Sequence, residues 1–163
     1  MMVKLCPQEG YMSAMVGLRR QLEALRAGFT DRNGAGQLDP ARAFFAHING
    51  AQGECAAARA LGAYWPMTIN AAKALPDLLP DWQVRTRVKH EHDLIVRDDD
   101  ADEQRFVLVT GTFPDFVVHG WILGRDAKRP EWREDRGERS APCYWVPQDA
   151  LHPLELMTQK INE

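Results

Sequence analysis

The stretch Trp82-Gln83-Val84-Arg85-Thr86-Arg87-Val88-Lys89 alternates between two kinds of side chain. A period of two puts Trp82, Val84, Thr86 and Val88 on one face of a strand and Gln83, Arg85, Arg87 and Lys89 on the other. This run divides the chain. Downstream, Asp93 to Arg97 and Arg105 to Thr110 read as the next two strands, joined as a hairpin by the acidic tip Asp98 to Glu103. Phe116 to Leu123 is an apolar, β-branched run and predicts a buried strand; Tyr144 to Val146 predicts a last one before a terminal turn at Pro147 to Leu151. Residues 125–142 are charged and hold Pro and Gly, which predicts a loop or a short irregular helix.

Upstream the period is helical. Met15, Leu18, Leu22, Leu25 and Phe29 form one apolar stripe on a helix over 11–29, with Arg19, Arg20, Glu23 and Arg26 off the stripe. The stripe is expected to pack against another surface; it lasts too few turns for a coiled coil. Thr30 to Gln37 reads as a loop. Asp39-Pro40 reads as an N-cap followed by proline at the first helical position, opening a helix with Phe44, Phe45 and Ile48. Asn49-Gly50 is expected to interrupt it. A small-residue helix then runs from Ala51 to Leu61, with Gly62 as its stop. Helices followed by strands predict an α/β chain of layered α+β type: a central mixed sheet of four to five strands flanked by helices.

The whole chain has 163 residues, the size of a single domain. Twenty basic and 23 acidic side chains leave a net charge of -3, so nucleic acid would have to be bound through a local patch. A 45% hydrophobic content with five Trp and six Phe excludes disorder as a whole-chain description. Cys6, Cys55 and Cys143 are widely spaced, form no CxxC pair and suit a reducing, cytoplasmic compartment. No apolar run approaches the roughly 20 residues that span a bilayer, so no membrane partner is expected. Met1 to Gly10 is too polar and short for a secretory signal.

Glu54 stands out chemically. It shares a helix face with Ala57, Ala58 and Leu61, so its carboxylate is aimed inward, where it needs a metal, a cation or a hydrogen-bonding partner. The competing reading is a first-turn acid that favours the helix dipole. Pro76-Asp77 precedes the strand, and a turn at Leu79-Pro80 brings Asp77 beside the strand's start. Gln83 and Arg85 follow on one strand face, with Arg87 and Lys89 continuing the row. An inward Glu, an Asp at a strand edge and a polar-x-cation pair suit Mg²⁺ held by oxygen ligands near a phosphate.

These residues carry a resemblance. Gly50-Ala51-Gln52-Gly53-Glu54, with Ala58 and Leu61-Gly62, resembles the opening helix of the PD-(D/E)xK nuclease superfamily, which has the restriction-endonuclease-like fold. Pro76-Asp77 resembles the family's "PD", and Gln83-Val84-Arg85 occupies the place of its "(D/E)xK". The resemblance implies a nuclease-like core over 50–147 with residues 11–48 as an N-terminal helical extension. It implies hydrolysis of DNA phosphodiester bonds with Mg2+ or Mn2+ held by Glu54, Asp77 and Gln83, and Arg85 neutralising developing charge. Lys73, Arg87 and Lys89 would grip flanking phosphates. A homodimer is implied too, since many family members are dimers. The chain is also similar to small phage and prophage proteins that share Gly120-Trp121 and Trp145-Val146-Pro147, which implies a bacterial host cell. Asp81 is the rival to Asp77. Gln83 stands where the family has an acid, removing one negative charge. Arg85 stands for Lys and cannot give up its proton, so it stabilises charge without acting as a base. The alternative is therefore a catalytically disarmed DNA- or protein-binding module, or an interaction protein that buries the 11–29 stripe against a partner.

Other signals are weaker. Asp98 to Glu103 lacks the glycine and spaced Glu of a calcium loop and reads as a solvated turn. His90 and His92 share a strand face without a third metal ligand. Cys55 reads as a core thiol. Gly111, Gly120 and Gly124 make no phosphate loop. Trp121, Trp132, Tyr144 and Trp145 read as packing on the sheet's far side.

Overall fold

The alternation forms a strand over 82–87, and the runs after it form strands as well, in two sheets. A computed structural model describes residues 1–28, 39–69, 75–137 and 141–154. The strands are β1 (Met2–Lys4), β2 (Trp82–Arg87), β3 (Leu94–Val96), β4 (Arg105–Thr112), β5 (Asp115–Leu123), β6 (Arg133–Glu134) and β7 (Cys143–Val146). The helices are α1 (Pro7–Arg26), α2 (Pro40–Leu61) and the short α3 (Gly124–Ala127). The class is mixed α+β, as expected. One sheet has four strands in the order β1-β5-β4-β2, with β2 parallel to β4 and the other pairs antiparallel. A second, three-stranded sheet has the order β3-β7-β6.

The strand alternation sorts residues between two cores. Trp82, Val84, Val107, Val109, Phe116 and Val118 pack toward Ala51, Ala56 and Ala57 of α2. Phe106, Leu108 and Ile122 pack on the opposite face against Leu94, Val96 and Val146 of the second sheet. Helices therefore cover one face of the main sheet, and the small sheet with α3 covers the other.

Several local expectations are corrected. The 93–97 and 105–110 strands do not form a hairpin: β3 pairs with β7, while β4 pairs with β2 and β5. Periodicity identifies a strand but does not choose its partner. Asn49-Gly50 does not interrupt α2, which is continuous from its Asp39 cap to Gly62. Buried Asn49 donates from Nδ2 to the Gly111 carbonyl, 3.3 Å away, and that tertiary bond offsets its weak helix preference. The expected boundary between a 11–48 extension and a 50–147 core thus falls inside one helix. Met2–Lys4, for which the sequence suggests no element, pairs with β5. The caps are as expected: the Asp39 carboxylate accepts from Ala41 N at 2.9 Å, and Gly62 stops α2 at φ 62°.

The α1 stripe is also corrected. Met15, Leu22 and Leu25 are 45%, 41% and 57% exposed, whereas Gly10, Ser13, Gly17 and Gln21 form the buried face. Phe29 and the loop through Gln37 lie outside the described residues. Small residues win this interface because α1 lies almost backbone to backbone against α2: a Cβ on Gly17 would run into the His47 carbonyl. Gly17→Ala gains about 1 kcal/mol in helix propensity but forces the two helices apart. Overpacking costs roughly 1–3 kcal/mol, so the substitution is expected to lower the urea midpoint. A raised midpoint would contradict this packing.

Candidate functional site

The continuity of α2 places Glu54 mid-helix, so the first-turn reading is wrong. Glu54 is 5% exposed, and its carboxylate faces Arg20 of α1, not solvent. Its predicted need for a partner is met three times. Arg20 Nη1 donates to Oε1 at 2.5 Å and Nη2 to Oε2 at 2.8 Å, a bidentate ion pair. Trp65 Nε1 donates to Oε2 at 2.8 Å. Arg20 Nε donates to the Thr68 carbonyl at 2.8 Å, which fixes the guanidinium plane.

Asp77 arrives where the turn at Leu79-Pro80 was expected to put it. Leu78 and Trp82 exchange backbone hydrogen bonds across that turn. Asp77 Oδ2 then accepts from Val84 N at 2.8 Å. Burial, and next the negative charge of Glu54, push its carboxyl from 3.8 up to about 7, against the favourable pulls of Val84 N, Arg85 and Arg20. Glu54 and Asp77 are therefore electrostatic neighbours, with Arg20 shared between them.

Gln83 and Arg85 are not on that side. Val84 packs toward α2, so by alternation its two neighbours face the second sheet. Arg85 lies there: its guanidinium is 4.9 Å from the Phe106 ring centre, its Nε donates to the Ile95 carbonyl at 3.1 Å, and its Nη2 donates to both oxygens of Asp100 at 2.9 and 2.8 Å. Arg87 follows on the same face, buried, 5.3 Å from the Trp145 ring. Lys89 lies past the strand's end, exposed, 4.0 Å from Glu91. Lys73 lies outside the described residues. The rival Asp81 is held by Arg105 Nη1 at 2.7 and 2.9 Å. Of the six predicted residues that the structure describes, Glu54 and Asp77 are the pair linked electrostatically.

A magnesium ion does not fit this donor set as it is arranged. Mg²⁺ needs free oxygen ligands in near-octahedral array. Both Glu54 oxygens already accept from a guanidinium and an indole N–H, and Gln83 is across the sheet. Among the described residues, no group of three or more His, Cys, Asp or Glu is placed to hold a metal.

Other expectations resolve alongside. The 98–103 run is not simply solvated: Asp98 pairs with Arg133, Asp100 with Arg85, Asp102 with Lys128 and Glu103 with Arg125. Cys55 is a buried thiol whose pKa burial pushes up to about 11, which leaves it without thiolate character near neutrality. No helix among the described residues is long and apolar enough to cross a membrane.

Sequence reasoning missed Arg20, Trp65 and Asp100. Arg20 had one available signal: it continues the row of small residues Gly10, Ser13 and Gly17, the face that proved to be buried. It missed the groove beside α1 as well. Met12, Met15, Val16, Leu18, Leu22 and Ile69 line a groove of about 500 Å³, with Arg19, Glu23 and Arg26 on its wall. The chain matches no protein-family model, no curated protein and no solved structure.

Proposed function

We propose that this chain is a non-catalytic protein-binding module that docks a partner on the exposed apolar face of α1. The observation that carries the reading is that face itself: Met12, Met15, Leu22 and Leu25 stand out from one helix beside an apolar groove. Contiguous apolar surface of this kind marks interaction sites, and methionine-rich faces adapt to their partners. The engagement of the Glu54 carboxylate and the Arg85 guanidinium in ion pairs supports the non-catalytic half of the reading.

The metal-dependent DNA nuclease is the second reading. It is favoured by one feature: after burial, the negative charge of Glu54 does most to raise the Asp77 carboxyl, and a cation between two carboxylates relieves such repulsion. It would require Arg20 to leave Glu54. One pair of experiments separates the two. Plasmid and branched DNA are incubated with the protein in Mg²⁺ or Mn²⁺ beside Glu54→Gln and Asp77→Asn, each checked to keep the parent's circular dichroism. No cleavage is expected; cleavage by the parent that both substitutions abolish would establish the nuclease. Affinity capture is then compared between the parent and Met15→Glu/Leu22→Glu. These side chains are exposed, so the variant is expected to keep the parent's circular dichroism and lose a stoichiometric protein partner. Equal capture by both would sink the α1 reading. Salt-sensitive DNA retention with no protein partner would replace it with DNA binding.

A further inference from the structure

Three side chains meet at the carboxyl ends of the parallel strands β2 and β4. Thr110, near the end of β4, is fully buried. Its Oγ1 is 2.9 Å from Nδ1 of His90, just past β2, and 2.6 Å from Nε2 of His119 on β5. His119 reaches this point because of a local irregularity: Leu108 pairs with Gly120 but Val109 pairs with Val118, so His119 is the extra residue of a bulge. Bulges re-aim a side chain in this way.

A threonine hydroxyl has a single proton. Between two imidazoles it donates to one nitrogen and accepts from an N–H of the other. We propose that His90, Thr110 and His119 form a proton-responsive latch, in which Thr110 donates to the bare Nε2 of a neutral His119 and accepts from Nδ1–H of His90. Each histidine is thereby fixed as its Nδ1–H tautomer. Nε2 of His90 stays outside the latch as a proton acceptor. Protonating His90 at that atom leaves its bond to Thr110 intact. Protonating His119 turns its Nε2 into a second donor facing Thr110, so the buried hydroxyl proton loses its acceptor.

The charged groups acting on His119 agree with this assignment. Burial lowers its pKa from the ordinary 6.5, and the Met1 amino group and His90 add to the effect. That amino group donates to the Val118 carbonyl on the neighbouring residue. Lys89 and Glu91 flank His90 and lie 4.0 Å from each other. The folded pKa lies below the unfolded one, so the latch's contribution is complete above 6.5 and is lost as pH falls through the lowered value. The latch ties residues 88–92 to β4 and β5. Gln148 Nε2 holds the same segment by donating to the carbonyls of His90 and His92 at 2.6 and 2.9 Å.

Imidazole ¹⁵N spectra of the full chain test the assignment. At pH 7.5 the expected result is Nδ1–H for both histidines, with Nε2 of His119 unprotonated. In Thr110→Val, His90 is expected to lose its single tautomer, and amide exchange over 88–92 to rise about fivefold, the weight of one ordinary hydrogen bond. Thr110→Ser restores both. A proton on His119 Nε2 at pH 7.5 overturns the proposal, as do unchanged tautomers and exchange in Thr110→Val. Should Thr110→Val fail to fold, the parent's tautomers and Thr110→Ser still decide.

Discussion

Replacing Glu54 by alanine is expected to destabilise the fold by about 3–5 kcal/mol, the cost of leaving one member of a buried ion pair without its partner. Three donors lose their acceptor at once: two guanidinium nitrogens of Arg20 and the indole nitrogen of Trp65. Arg20 has nowhere wetter to go, because its Nε is held by the Thr68 carbonyl and its side chain is 14% exposed. The pair itself need not be a net stabiliser, since removing two charges from water costs several kcal/mol per ion. The double variant Arg20→Met/Glu54→Leu tests this distinction. It removes both charges and keeps much of the volume, and it is expected to recover most of the loss. Urea denaturation of the two singles and the double supplies the cycle. If Glu54→Ala shifts the folding free energy by less than about 1 kcal/mol, the pair behaves as a surface bridge and its buried placement is wrong.

This site also shows what a sequence can and cannot disclose. The inward aim of Glu54 follows from its small, apolar helix neighbours, because burial leaves a chemical trace at short range. Its partner does not follow. Arg20 lies on another helix, off the obvious apolar stripe. The rule that apolar faces are buried fails for α1 because its buried face is Gly10, Ser13, Gly17 and Gln21, and at Gly17 the lack of bulk lets α2 approach backbone to backbone. Strands β2, β4 and β5 are legible because each has six to nine residues, enough for β2 to show its period of two and for β4 and β5 to show apolar, β-branched runs. β1 has three residues and no room for a period. The face of β2 is legible too: Gln83 and Arg85 do share a side. Which side of the sheet α2 occupies is a fact of topology, and it separates those two residues from Glu54.

Asp77 gives the second large effect, with the opposite pH sign from most acids. Its carboxyl rises from 3.8 in the unfolded chain to about 7 in the fold. Between those values the folded state holds a proton that the unfolded state has released. The folded state is therefore best favoured at low pH, and stability falls as pH rises from 3.8 through about 7. A shift of this size corresponds to a loss on the order of 4 kcal/mol once Asp77 is fully ionised. Asp77→Asn keeps an oxygen to accept from Val84 N and cannot ionise. It is expected to match the parent near pH 4 and to exceed it at pH 8 by on the order of 4 kcal/mol. Because His119 titrates with the other sign, the informative quantity is the difference between the two proteins at each pH. Glu54→Gln sharpens the argument. It removes the negative neighbour that, after burial, does most to raise Asp77, and leaves Arg20 in need of a counter-ion. Asp77 is then expected to ionise at lower pH, so the parent's pH-dependent loss should shrink in that variant. If Asp77→Asn runs parallel to the parent from pH 4 to 8, Asp77 is ionised throughout. The two carboxylates then do not repel one another across Arg20, and the nuclease reading loses the one observation that favours it.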